Sequence, residues 1–398
     1  MSPEPDFDPT APLPGPTDPW DYAPTPSRRP GPPFHMTDMI AAEPAVAGRI
    51  LARLAAAGDD AARLATAIKT TVEAGEPILV TGCGTSEHCA LATADILREA
   101  ATAAGLRDPS IRAEQAFELS LDPPTHGLVI GVSHEGATAA SNAALESART
   151  AGRLTAVITV SRRSPAGALA SITVETGELD QGWCHTVGYL SPIVAAAAVG
   201  AHLSGRSLDA AAVERLLADG ARDAAGAEAI AARLAETATL IVIGSGADRA
   251  AARELVLKVE EAAWLPSAYR DLETFLHGHL PATGPATGLI LVLTDRDGRA
   301  ERVARARHAL SAARVIGLRA AAILAEGAAA SLDPSLTPAG RLVVTESPSL
   351  PVPVAALVGS TTPLQLLTER LARARGTNPD LIRRDDPIYL AAAEAAGN

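Results

Sequence analysis

Apolar positions along the chain fall into two alternating kinds of run. Short β-branched stretches at Ile78–Thr81, Leu128–Val132, Leu154–Thr159 and Ile172–Val174 are separated by longer Ala-, Leu- and Arg-rich stretches with helical periodicity. The alternation begins again with TLIVI (239–243), LILVL (289–293), RVIG (314–317) and LVV (342–344). Strands apolar along their whole length, each followed by a helix, predict a parallel sheet covered on both faces. ILVTGCGTS (78–86) and LIVIGSGAD (240–248) are alike, which indicates a weak internal duplication. The expected fold is α/β, with similar domains over 36–215 and 216–398 joined through an Ala-rich helical connection near 205–230. Residues 1–35 are crowded with proline, which removes backbone donors and restricts its neighbours, so a disordered, solvated tail is expected there. Trp20, Tyr22 and Phe34 are the tail side chains that could dock.

Composition narrows the function. Of 398 residues only 3% are aromatic, too few for a stacking nucleic-acid binder, and the net charge of −12 comes with no basic block. Nucleic acid is therefore not an expected partner. Cys83, Cys89 and Cys184 make neither a disulfide framework nor a zinc spacing. His134, His185 and His277 come from separate turns without metal-ligand spacing, so no metal is expected. There is no signal-peptide pattern, and the most apolar stretch, Tyr189–Leu203, is interrupted and too short to span a bilayer. A cytoplasmic protein without membrane contact is expected. Lys69 and Lys258 are the only lysines, which makes Lys258, inside the apolar run LVLKVEEAAWL, worth inspecting.

Ligands of parallel sheets bind beyond the carboxyl ends of the strands, at helix N-termini. Two first-domain turns qualify: Gly82-Cys83-Gly84-Thr85-Ser86 and Ser133-His134-Glu135-Gly136-Ala137-Thr138. Both offer small residues, hydroxyls and free N–H groups to an anion, although Ser and Thr also serve there simply as helix caps. In the second domain, Glu254, Lys258 and Glu261 share one helical face at i, i+4 and i+7, as a salt-bridge ladder or as a site.

The order and spacing of these motifs resemble the sugar isomerase (SIS) family, in the tandem form of the isomerase half of glucosamine-6-phosphate synthases. The likeness rests on GCGTS (82–86), the turn at 133–138, Glu254-x-x-x-Lys258-x-x-Glu261, His277-Gly278, and GTNPD with Arg383, and it covers about 36–385. It implies two three-layer αβα domains with flavodoxin-like parallel sheets and enediol proton transfer on a sugar or sugar phosphate without a cofactor. Glu261 would be the base, Lys258 would stabilise the enediolate, and His277, given by a second copy in a homodimer, would assist ring opening. Thr85, Ser86, Ser133, His134, Glu135, Thr138, His185 and Thr186 would bind the substrate.

Several positions depart from the family pattern. Glu135 replaces a phosphate-binding serine and Ala137 an acid. A carboxylate about 4 Å from phosphate costs roughly 1–4 kcal/mol per charge pair, against about 0.3–1 kcal/mol from a helix N-terminus. Unless Glu135 is turned away, paired or protonated, repulsion wins. Gly182-Trp183-Cys184-His185-Thr186 replaces a Ser-Thr-Lys turn, bringing Trp183 and His185 toward the pocket. The family's C-terminal Schiff-base lysine falls near Pro387, in a stretch without lysine, and only the proline-rich tail precedes the first domain, so glutamine-dependent amination is not expected. A non-catalytic sugar sensor, a ketosamine deglycase and an amino-sugar deaminase stay open as alternatives.

Overall fold

Glycine and polar turns cut the aliphatic runs into lengths that suit strands, and the computed structural model shows them as two parallel sheets. It describes residues 7–16, 18–21, 27–55 and 59–397. The first half runs α1 (His35–Leu54), α2 (Asp60–Glu73), β1 (Ile78–Gly82), α3 (Thr85–Ala103), β2 (Ile111–Gln115), α4 (Ala116–Leu121), β3 (Leu128–Val132), α5 (Ala139–Thr150), β4 (Leu154–Thr159), α6 (Pro165–Leu169), β5 (Ile172–Glu175) and α7 (Val187–Ser204). After α8 (Ala210–Gly220) and α9 (Ala224–Leu234) come β6 (Thr239–Gly244), α10 (Asp248–Ala263), β7 (Ser267–Asp271), α11 (Leu272–Phe275), β8 (Thr287–Leu293), α12 (Arg299–Ile316), β9 (Arg319–Ala325), α13 (Glu326–Ser331), β10 (Gly340–Val344), α14 (Val352–Arg375) and α15 (Pro387–Ala395).

The strand orders are β2-β1-β3-β4-β5 and β10-β9-β8-β6-β7, with every pairing parallel. This is the expected α/β three-layer architecture. The central strands β1, β3 and β8 are buried at every residue, as continuous apolar runs require. Sequence reading misses the edge strands β2 (IRAEQ) and β7 (SAYRD), whose polar side chains are mostly half-buried. It also misplaces one strand: RVIG (314–317) ends α12 at the left-handed Gly317, and the strand that follows is RAAAILA.

One core spans both halves. Side chains of α1, α3, α7, α10 and α14 join a single buried cluster between the sheets. Apolar all round, α7 lies in the middle of that layer. At 18 residues it is long and apolar enough to cross a membrane, but 83% of it is buried inside the protein.

The described part of the proline-rich tail is not free. Leu13 donates its N–H to Glu178 at 3.0 Å, Arg163 pairs with Asp18 and Asp21, and Phe34 is buried. Asp380 accepts the N–H groups of Arg29 and His35 at 3.0 and 2.9 Å. These ionic and apolar contacts replace the solvated tail expected for this segment. Trp20 is half-buried, while Tyr22 lies outside the described residues.

Candidate functional site

The turn after β1 needs its glycines. A Cβ on Gly82 would meet the Ser86 carbonyl oxygen at 2.4 Å, and Gly84 has φ +58°. The tight turn starts α3 at Thr85, whose hydroxyl donates to Glu254 in the second domain at 3.2 Å. His88, one helical turn on, lies 2.7 Å from the other Glu254 oxygen. The Thr85 hydroxyl is thus spent in joining the halves. Ser86 is half-buried and donates its N–H to the Cys83 carbonyl.

The turn after β3 is pinned by its backbone. Ser133 donates to Ile158 at 3.1 Å, and the His134 carbonyl accepts from Val160 at 2.9 Å. Nε2 of the buried His134 ring accepts the Asp180 N–H at 3.0 Å. The other ring nitrogen, Nδ1, therefore carries the proton of the neutral ring, and it has no partner among the described residues. Burial, reinforced by repulsion from His185, pushes His134 down to about 4, so it is neutral at pH 7. Thr138 is exposed and caps α5 without a side-chain bond.

A third loop brings in His185. Asp180 accepts the N–H groups of Gly182, Thr186 and Gly188 at 3.1, 2.7 and 3.0 Å, folding the loop around one carboxylate. Thr186 is buried against Asp180, and its carbonyl accepts from Gln365 at 3.1 Å, so it shapes the loop. His185 is half-buried, edge-on to His134 with ring centroids 5.5 Å apart. Its Nε2 lies 3.5 Å from Glu135. Burial disfavours the imidazolium, but Glu135 and Asp180 outweigh this and raise the His185 pKa. The same contact with His185, against the opposing effect of burial, lowers that of Glu135. Trp183, half-buried, stacks under the Arg384 guanidinium at 4.6 Å.

The α10 face supplies the remaining charged groups. Lys258 and Glu254 are fully buried, and the Lys258 ammonium lies 3.6 Å from Glu254 and 2.5 Å from Glu261. Burial would lower the Lys258 pKa, but Glu261 and Glu254 more than reverse this and raise it. Lys258 is thus an ammonium at neutral pH, suited to holding negative charge and unsuited to Schiff-base attack. Burial works against the Glu254 carboxylate too, and Lys258, His88 and Thr85 together hold its pKa below the ordinary value. Glu261 keeps 20% of its side chain exposed and borders a cavity of about 550 Å³ with Trp264, Ile382, Arg383 and Tyr389. Lys258, Glu261 and Asp180 all act electrostatically on the buried Cys184, which places α10 beside the 180–188 loop.

His277 stands apart. It is exposed in the turn after α11, 2.6 Å from Glu273 and 3.5 Å from Arg305. Among the described residues no group of His, Cys, Asp and Glu has metal-binding geometry. Sequence reasoning misses His88 and Asp180; the helical offset of His88 from Thr85 was a usable signal, whereas nothing local marks Asp180.

Three solved structures place this architecture. Over 89% of this chain and 100% of its own, the C-terminal domain of glucosamine-fructose-6-phosphate aminotransferase from Francisella tularensis is similar with TM-score 0.75 and 18% identity. Tagatose-6-phosphate ketose/aldose isomerase from Escherichia coli is similar over 90% and 97%, with TM-score 0.68 and 18% identity. Glucosamine-6-phosphate deaminase from Thermotoga maritima is similar over 87% and 96%, with TM-score 0.62 and 17% identity. No protein-family model and no curated protein matches the sequence. The chain has the tandem sugar-isomerase (SIS) fold, as its motifs led us to expect.

Proposed function

We propose that this protein is an aldose–ketose isomerase acting on a sugar or sugar derivative by enediol proton transfer. The observation that carries the reading is the buried Lys258 ammonium between Glu254 and Glu261, on a helix joined to the first-domain turns through Thr85 and His88. Glu261 takes the proton from C2 of the open-chain sugar and returns it to C1, while the hydroxyl proton at O2 moves to O1. Lys258 stabilises the enediolate charge from its buried position beside Glu261. Hydroxyls of the substrate meet Ser86, Ser133 and the turn at 133–138. His277, too exposed to act within its own chain, would assist ring opening from a second copy in a homodimer. This chemistry requires no cofactor, and the proposed setting is the cytoplasm.

Incubation with aldoses and ketoses, phosphorylated and not, in deuterated water should place label at C1 or C2. Glu261→Gln should slow its incorporation by about 10²–10⁴-fold. The isolation of His277 from Lys258, and the lack of lysine in residues 381–398, favour a second reading as a sugar-derivative sensor. A sensor would show saturable binding without label, and its affinity would survive Glu261→Gln.

A further inference from the structure

The cavity at Glu261 holds a cation that the proton transfer does not use. The Arg383 guanidinium lies over the Trp264 ring at 4.5 Å and over the Tyr389 ring at 3.8 Å. All three side chains border the same cavity of about 550 Å³, a size that suits a small-molecule ligand. Stacking holds a guanidinium through its face and leaves the N–H groups at its edge free. Among the described residues no group accepts a hydrogen bond from the Arg383 side chain. Its ionic neighbour, Asp386, stands 3.9 Å away, beyond hydrogen-bond reach, and the side chain is 33% exposed.

The backbone around this cation is strained. Of the described non-glycine residues with left-handed φ, Trp264 (+51°), Ile382 (+43°) and Arg383 (+67°) all line this cavity, and only Asp108 lies elsewhere. Such conformations cluster where a site needs a side chain set in place. Packing of α15 does not account for them, because no residue of that helix is buried. The acids of the cavity are already engaged: Glu261 pairs with Lys258 at 2.5 Å, and Glu260 accepts the Ser267 N–H at 3.0 Å.

We propose that Arg383 sets the substrate class by holding an acidic group, carboxylate or phosphate, at the end of the sugar remote from C1 and C2. Its fork of N–H groups matches either anion with paired hydrogen bonds. The Glu135 carboxylate disfavours the turn after β3 for the same group. The inference rests on the isomerase reading, since Glu261 fixes where C1 and C2 lie, but it concerns the other end of the ligand.

Calorimetric titration of the full chain with sugars that differ only at C6 is the test: glucose, glucuronate and glucose 6-phosphate, and the same three forms of galactose. All keep the C2 hydroxyl that isomerisation needs. At least one acid form should bind about tenfold or more tightly than its neutral parent, as charge-assisted hydrogen bonds allow, and the tighter acid names the anion. Arg383→Gln should cut that ratio below about threefold while the neutral sugar binds as before. Arg383→Lys, which keeps the charge without the fork, should give an intermediate ratio. A loss of folding weakens every sugar alike, so the ratio separates recognition from stability.

Equal binding of acid and neutral forms, a ratio unchanged in both variants, or binding of none of the six overturns the proposal. Deuterium exchange on whichever sugar binds separates it from the isomerase reading. An acid preference that Arg383→Gln removes, without exchange, keeps the role of Arg383 and rejects the isomerase. Exchange without acid preference keeps the isomerase and rejects the role of Arg383.

Discussion

The first-domain turn at 82–86 and its second-domain counterpart at 244–248 have the same backbone and opposite occupants. A Cβ on Gly244 would meet the Asp248 carbonyl oxygen at 2.7 Å, much as one on Gly82 would meet that of Ser86, and Gly246 has φ +65°. In the second domain, however, the protein fills its own anion sites. Asp295 accepts the Ala247 N–H at 2.9 Å and pairs with Arg302, while the buried Asp248 accepts the N–H groups of Thr294 and Asp295 at 2.7 and 3.0 Å. The facing helices differ likewise. At the offsets where α10 carries Glu254, Lys258 and Glu261, α3 carries Ala92, Ile96 and Glu99. The second cleft, about 880 Å³, is lined by Arg98, Arg206, Arg249 and Arg302, each paired with an acid of the same protein. The two turns thus share a backbone and differ in what surrounds them: acids of the same half occupy the second, and a carboxylate of the other half meets the first.

The sharpest break between the two copies should be catalytic. Glu261→Gln is expected to slow deuterium exchange by about 10²–10⁴-fold, with Glu99→Gln leaving it unchanged; equal losses would remove the asymmetry. Next in size, Lys258→Met takes from the buried Glu254 carboxylate its ammonium partner and leaves it only Thr85 and His88. A loss of about 3–5 kcal/mol in urea unfolding is expected.

Asp248 should show the second domain's closed turn through pH. Burial, only partly offset by its hydrogen bonds, pushes its carboxyl up to about 6. A raised carboxyl binds its proton more tightly folded than unfolded, so stability falls as pH rises from about 4 to about 6 and then levels. Asp248→Asn should flatten that slope, worth on the order of 3 kcal/mol; an unchanged slope would show that the group titrates normally. The contact between Glu135, in the turn after β3, and His185 should give the smallest effect. The raised His185 pKa makes its imidazolium stabilising at pH below its unfolded value near 6.5, and this is lost as pH rises through the folded value. Because the pair is partly exposed, Glu135→Gln should lower stability at pH 6 by under about 1 kcal/mol, with a smaller loss at pH 9.

Legibility followed burial. The central strands β1, β3, β4, β6 and β8 could be read because covered faces favour continuous apolar runs; the alanine-rich β9, equally buried, could not, since alanine marks a strand no better than a helix. The edge strands β2 and β7 could not, since Arg112, Glu114 and Arg270 reach partly solvated positions there. Helical periodicity put Glu254, Lys258 and Glu261 on one face, and the structure keeps them together. It separates His277 from them, since that residue follows the edge strand β7.

Local pattern alone determined the α/β alternation, the duplicated glycine turns and the charged stripe on α10, because periodicity and backbone sterics act within a few residues. Only the tertiary structure decided which hydroxyls remain open to a ligand. Thr85 meets Glu254 through packing that its sequence neighbourhood does not contain, while Thr186 meets Asp180 within one folded loop, and a buried carboxylate must take whatever donors the fold brings to it.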